Sequence, residues 1–356
     1  MQPAVREKSS SVSQQQIADR TTAASQGTPA LAATDHPTLR QLGRMILDPA
    51  GPFTKLPSQG YKRGIDYYSA AQLPMVVRGV ADRFFAMHGR YPNLYAPDLL
   101  NDKIFASKFL RLFKIPETAN KLLTSSFIPP EAERLVTCAP IVWHSRTEPI
   151  PRGDEIKAGT YYLKSSHGRD MFQRIRYPLT HDQADALEER FRPVLGKRYG
   201  ARNGNWWHNC FSPELMIEKA IGSAEFTTSL NYVVIGGKVV RLTAYQKLAD
   251  GYGKTNFRPD WTPYDNAFSE PAGFRMPSAA AKDRMAKAAQ LVGKDLGYVR
   301  VDFLLDDDEI PYLGEVTFTP GNGLTLMSLE VERQLGQMWD WSAMLNDARL
   351  ARPKAG

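Results

Sequence analysis

Cysteine is scarce in this chain: Cys138 and Cys210 are the only two among 356 residues. Two thiols so placed build neither a disulfide framework nor a metal spacing, so both are expected free, as in a reducing compartment. Long apolar runs are missing as well. No stretch approaches the roughly 18 residues that cross a bilayer, and the first residues carry no apolar signal core, so a cytoplasmic location is expected, without a transmembrane segment or secretory leader. Runs of lysine and arginine are absent, as is any recognised nucleic-acid motif. The net charge of +7 is modest and dispersed, which suits a nucleotide, an acidic sugar or a membrane surface and argues against nucleic acid as a partner. No G-x-G-x-x-G follows a strand pattern, and the nearest glycine pair, Gly251 and Gly253, falls in a polar stretch. A doubly wound dinucleotide fold is therefore not supported.

What is present is ordinary globular material, 42% hydrophobic with a mean hydropathy of −0.39, enough for one large domain or a few packed subdomains. Residues 1–37 are rich in Ser, Gln, Ala and Thr without apolar periodicity and read as a disordered tail. Apolar spacing predicts a helix over 75–90 ending at Gly89, and another over 100–114 with Asn101 or Asp102 as its cap. Residues 128–159 read as a proline-bearing loop leading into a strand at Thr160–Ser165. A charged helix follows over 180–200, capped by Thr180, then a short strand at Leu215–Ile221. Residues 226–247 form a hairpin about Gly236-Gly237, where a tight turn needs positive φ. A polar loop is expected over 248–277, an alanine-rich helix over 278–296 stopped at Gly297, and a last helix through MSLEVERQLGQMW. Strand–loop–strand units mixed with helices give an α+β chain.

The densest chemistry lies in YVRVDFLLDDDEIPYLGEVTFTPGNG, residues 298–323. Two alternating runs flank an acidic turn and predict a β-hairpin. If Val299, Val301 and Phe303 face the core, Arg300 and Asp302 share the other face, and Glu315, Thr317 and Thr319 share a face of the second strand. A cation converging with two carboxylates is an arrangement for magnesium and phosphate, since hard divalent cations take oxygen ligands and leave room for phosphate oxygens. Upstream, YYLKSSHGRDM ends an apolar strand in Lys164 and continues into a loop containing Gly168, which suits charge pairing with phosphates. In LMIEKAIGSAEFT, Glu218 and Lys219 follow an apolar strand and Glu225 comes seven residues on, a strand edge and carboxylate able to read adenine and a ribose diol. His167 is open as an acid–base group or a loop cap. Trp206, Trp207 and His208 are open as a sugar platform or a buried anchor, with anchoring the commoner fate. Arg241, Lys247 and Arg258 are open as ligands of an acidic substrate or as solvated charges.

In this order the four stretches resemble the ATP-grasp superfamily, and in particular its TupA-like branch of teichuronopeptide biosynthesis. GEVTFTPGNG resembles that branch's final strand and glycine turn, YYLKSSHG its second ATP lysine and phosphate loop, and TNFRPDWTPY a further TupA-like segment, while EKAIGSAEFT is similar also to the hinge of D-alanine–D-alanine ligases. The resemblance runs from about residue 90 to 340. It implies an ATP-grasp fold, antiparallel-sheet subdomains clasping a nucleotide between them. The division would be 1–37 tail, 38–160 N-terminal helical region with the first ATP-grasp elements, 161–225 small subdomain with phosphate loop and hinge, 226–345 C-terminal subdomain with the magnesium site, and 346–356 tail.

The resemblance also implies roles. Lys164 would contact the phosphates and Ser165, Ser166, His167 and Gly168 would cover them. Glu218, Lys219, Ala220 and Ile221 would hold adenine, and Glu225 the ribose. Arg300 would stabilise the transferring phosphoryl group. Asp302 and Glu315 would ligate Mg2+, with Thr317 standing where many relatives carry asparagine. Gly321, Asn322 and Gly323 would border the substrate. The first ATP lysine is expected at Lys121, with Lys103 and Lys108 as alternatives. The implied function is an ATP-dependent carboxylate–amine ligase working through an acylphosphate, joining an amino acid to an acidic sugar, a cell-surface polysaccharide or its precursor, beside membrane glycan machinery. An ATP-grasp sugar kinase and an inactive nucleotide-binding scaffold stay open as alternatives.

Overall fold

The computed structural model describes residues 31–32, 34–168, 171–223, 229–248, 251–263 and 276–345. Three longer helices come first, α1 (Pro37–Leu47), α2 (Gln72–His88) and α3 (Leu100–Leu110), with a single helical turn, Gly64–Tyr67, between the first two. The helix expected over 75–90 starts earlier and stops where glycine allows it, with Gly89 at φ 67°. The expected cap of α3 is corrected. Leu99 is its N-cap, without a side-chain bond, while Asn101 and Asp102 lie inside the first turn. A tertiary partner has claimed the carboxylate: Arg90 donates to Asp102 at 2.6 Å. Every residue of α3 is buried, so even its charges need partners, and Lys103 donates to the carbonyls of Gly336 and Trp339, both at 2.7 Å. Leu31 is buried with Leu39 and Leu42, so packed structure reaches back into the segment read as a tail.

The first sheet contains β1 (Ile141–Ser145), β2 (Gly159–Ser165), β3 (Phe172–Tyr177) and β4 (Leu215–Lys219), in the order β1-β4-β2-β3, all antiparallel. Strand β1 corrects the reading of 128–159 as loop. Helix α4 (His181–Phe191), capped by Thr180 through a capping box with Gln183, packs Leu187 and Phe191 on Leu163, Ile175 and Ile217 of this sheet.

The second sheet contains β5 (Ser229–Ile235), β6 (Lys238–Leu248), β7 (Gly251–Phe257), β8 (Tyr298–Leu305) and β9 (Pro311–Phe318), in the order β9-β8-β5-β6-β7, again antiparallel. The β5–β6 turn places Gly236 and Gly237 at φ 54° and 75°, the paired positive values of a primed two-residue turn. Strand β7 lies inside the stretch read as a polar loop. Its core positions are Thr255 and Phe257, each 1% exposed; with one apolar residue between them the alternation is too faint to read.

Helix α5 (Ala279–Gly293), capped by Ser278, lies on one face of this sheet. Its Met285, Ala288 and Val292 join Val299, Val301, Phe303, Tyr232 and Val234 in the main core. On the opposite face Val233, Ile235 and Tyr298 carry the N-terminal helices. The rest of that face is polar and looks across a cleft to the first sheet. Helix α6 (Leu329–Gln337) packs against α3, and a short helix, Trp341–Leu345, ends the described chain. Among the described residues no helix is long and apolar enough to cross a membrane.

Candidate active site

The polar face of the second sheet is built by register. One row across it reads Arg241, Val233, Arg300, Thr317; the next reads Asn256, Thr243, Asn231, Asp302, Glu315. Between Asp302 and Phe303 the β8–β9 register shifts, leaving Gly314 as an extra residue. This bulge lets Leu313 enter the core at 2% exposure although Glu315, two residues on, faces the cleft.

Arg300 grips Asp302 with both arms of its guanidinium, Nε to Oδ1 at 2.6 Å and Nη2 to Oδ2 at 2.5 Å. Burial works against the guanidinium charge, but Asp302 and then Glu315 hold it firmly protonated. Burial also lifts the Asp302 carboxyl above the usual carboxylate range; Arg300 pulls it down and the Glu315 charge pushes it up again. One guanidinium against two carboxylates leaves the group short of a positive charge. Thr317 donates to Glu315 at 3.4 Å.

Two cavities meet here. One, of about 300 Å³, is bordered by Lys164, Ser165, Cys138 and Glu218 from the first sheet's side and by Asp302, Leu304 and Tyr312 from the second. The other, of about 550 Å³, is bordered by Arg300, Thr317, Thr319, Gly321 and Asn322, with Glu117 and residues 198–208 opposite. Lys121, Thr124, Gly168 and Glu315 border both.

Lys164 donates to Glu218 within the smaller cavity, and Lys121 to the carbonyl of Gly168 in the loop between them. Lys103 and Lys108 border neither cavity: the first holds the C-terminal end of α6, the second donates to Asn322 O at 2.9 Å. In the loop after β2 the side chains turn inward. Ser166 Oγ accepts from Glu214 N at 2.9 Å, and His167 lies between Ser165 Oγ at 2.6 Å and Lys197 O at 3.1 Å. Burial holds its imidazole below the ordinary value, so the structure uses His167 as a brace. At the hinge the N–H groups of Lys219 and Ala220 donate to Pro140 O and Thr160 O, and Ile221 is buried. Glu225 lies outside the described residues, as does the side chain of Lys247.

Trp206 and Trp207 are 0% and 1% exposed, stacked on Tyr67 and Phe113: anchors, not a sugar platform. Arg258 closes its own loop through Pro263 O at 3.2 Å, and Arg241 keeps a buried Nε without a hydrogen-bond partner, one strand removed from Arg300. After β9 the chain enters a left-handed turn, with Thr319, Gly321, Asn322 and Gly323 at φ 54°, 71°, 57° and 71°. Such φ at threonine is costly and marks a segment held by its surroundings. The residues that sequence reasoning missed are Thr124 and the part of the opposite wall from Arg198 to Asn205. Their types carry no motif, and only tertiary packing brings them to the cleft.

Asp302 and Glu315 also answer whether a divalent metal fits. Among the described residues no cluster of three or more His, Cys, Asp or Glu exists. Two carboxylates, one of them accepting on only part of its lone pairs, match magnesium held by one or two carboxylates together with phosphate oxygens.

A D-alanine–D-alanine ligase of Leuconostoc citreum strain KM20 is 36% identical over 96 residues, which is 24% of this chain and 23% of that ligase. The chain thus spans under a quarter of that relative. Among solved structures, the D-alanine–D-alanine ligase of Bacillus anthracis complexed with ATP is 17% identical over 65% of each chain, with a TM-score of 0.38. The L-amino acid ligase of Bacillus licheniformis is 14% identical over 65% of this chain and 48% of its own, with a TM-score of 0.35. These structural likenesses are loose. A family model described as TupA-like ATPgrasp matches residues 270–339, the stretch that contains Arg300, Asp302, Glu315 and the left-handed turn. Over that stretch, 70 of the 356 residues, the chain is similar to the TupA-like ATP-grasp proteins.

Proposed function

We propose that this protein is an ATP-dependent carboxylate–amine ligase. The observation that carries the reading is Arg300, Asp302 and Glu315 standing where two cavities join, with Lys164 and Lys121 on the opposite wall. ATP fits the smaller cavity, its phosphates toward the lysines, and a carboxylate substrate fits the larger one beside Arg300. Bound Mg2+, held by Asp302 and Glu315, would neutralise phosphate charge. Lys164, released from Glu218, and Lys121 hold the nucleotide phosphates. Arg300 steadies the oxygens of the phosphoryl group in transfer, a charge-stabilising role of the kind worth ~100-fold or more in rate. The substrate carboxylate attacks the γ-phosphorus, the bond to ADP breaks, and an acylphosphate forms. An amine then attacks the acyl carbon, the bond to phosphate breaks, the nitrogen gives up a proton, and an amide remains. Thr124 and Phe127 line the larger cavity, where the acylphosphate would form.

The amine and the carboxylate are read by class: an amino acid, and an acidic sugar or glycan precursor. Incubation with Mg-ATP, candidate acids and hydroxylamine tests the reaction. An iron-binding hydroxamate with one phosphate released per turnover is expected. Phosphorylated sugar without hydroxamate would replace the ligase with a kinase; no turnover with nucleotide bound would leave a scaffold.

A further inference from the structure

The larger cavity has a wall that the chemistry above does not use. Residues 198–208 build it. Gly200 and Gly204, at φ 69° and 73°, fold the segment tightly, Trp206 and Trp207 anchor it in the core, and Asn205 donates to Asn322 Oδ1 at 3.0 Å, fixing it to the left-handed turn. The wall presents the exposed side chains of Arg198 and Arg202 to the cavity. Neither has a carboxylate partner among the described residues. Their surroundings are positive: burial and then Arg202 weaken proton binding at Arg83, and burial and then Arg83 do so at Lys108. Opposite them Glu117 is engaged by Lys114 at 2.8 Å. Like charges gathered on one wall create a field that favours an anion.

A second observation points the same way. Thr319, 3% exposed, borders this cavity with its hydroxyl unpartnered. So do Asn205 Oδ1, His208 Nδ1 and Glu117 Oε2, all buried and without partners. Burial keeps His208 neutral, pushed down to about 3. Mixed acceptors and a hydroxyl left unsatisfied are costly unless a ligand supplies groups that both donate and accept.

Resting on the ligase reading, we infer that Arg198 and Arg202 recognise a second anionic group of the carboxylate substrate, remote from the carboxylate at Arg300, and that the orphaned polar atoms take its hydroxyls. The substrate class is a polyhydroxylated dianion. The test is calorimetry on wild type and Arg198→Gln/Arg202→Gln, both saturated with magnesium and a non-hydrolysable ATP analogue. The probes are the α,ω-dicarboxylates from malonate to suberate, each against its monocarboxylate, and galactarate against adipate. In wild type a dicarboxylate of matching length should bind at least ~tenfold more tightly than its monocarboxylate, and galactarate more tightly than adipate. The double variant should lose the dianion preference at unchanged affinity for the analogue and unchanged unfolding midpoint. A wild type indifferent to the second charge, or a preference that survives in the variant, overturns the inference. Absence of analogue binding in wild type sinks the ligase reading itself and the inference with it.

Discussion

Arg300 and Asp302, two residues apart on one strand, are locked face to face through both guanidinium arms and both carboxylate oxygens. Such neighbours on one strand face usually point outward in parallel. Here the pairing fixes the rotamer of each, so the guanidinium is held in one orientation in the cleft.

Arg300→Lys keeps the charge and loses the fork. Phosphate release in Mg-ATP should fall by ~100-fold or more, with Mg-ATP affinity changed far less. Turnover within a few-fold of wild type would remove Arg300 from the phosphoryl-transfer role.

Glu315→Ala should move activity and apo stability in opposite directions. It deletes a carboxylate proposed to hold magnesium, so turnover and the magnesium-dependent part of the thermal shift with ATP should vanish. It also relieves the like charge that raises Asp302, so the apo midpoint should hold or rise slightly. A magnesium-dependent shift that persists contradicts the metal assignment.

Lys121→Met and Lys103→Met should separate two lysines of similar local sequence. The first should weaken Mg-ATP binding ~tenfold or more while the unfolding midpoint hardly moves. The second strands the carbonyls of Gly336 and Trp339 and should cost ~2 kcal/mol of stability. Denaturant titration beside nucleotide binding checks both, and exchanged outcomes would exchange the roles.

Lys108 gives a pH dependence with a definite sign. Burial pushes its ammonium down to about 7, from 10.5 in an unfolded chain. Between those values the unfolded chain holds more protons, so this residue makes stability rise with pH from about 7 upward and adds nothing further above 10.5. Lys108→Met should flatten the rise relative to wild type in urea midpoints measured from neutral to alkaline pH. Parallel curves would show that the lysine stays charged in the fold.

Trp207→Ala should cost ~3–5 kcal/mol, as a fully buried aromatic truncation does, and act through folding. Loss of sugar binding with an unchanged midpoint would restore the platform reading.

Period-two alternation around Arg300 and Asp302 made the hairpin legible, and the Gly236-Gly237 pair made the second turn legible, because each signal is complete within a few residues. The cap of α3 was not: Asn101 and Asp102 are good local caps, and only Arg90, which donates to Asp102, and Glu332, which accepts from Asn101 N at 3.1 Å, redirect them. Strand β7 escaped because its buried Thr255 looks polar in sequence. The two carboxylates and Arg300 were legible as a constellation. The preference for Lys121 over Lys103 was already drawn from the sequence; the structure adds that the Lys103 ammonium is spent on a helix end. The inward turn of Ser166 and His167 had no sequence signal at all, since the loop's partners, Glu214 and Lys197, come from other segments.

The extra residue at Gly314 makes the site a matter of counting. Upstream of it, odd-numbered residues of β9 belong to the core; downstream, odd-numbered residues belong to the cleft. A chain shortened by that one glycine would still spell every ligand in order, and any comparison of letters would pass it as intact. Yet its strand would be out of phase on one side of the gap, with either Leu313 turned into the cleft or Glu315 into the apolar core. In this strand the spacing on either side of Gly314 therefore decides whether Glu315 reaches the cleft at all.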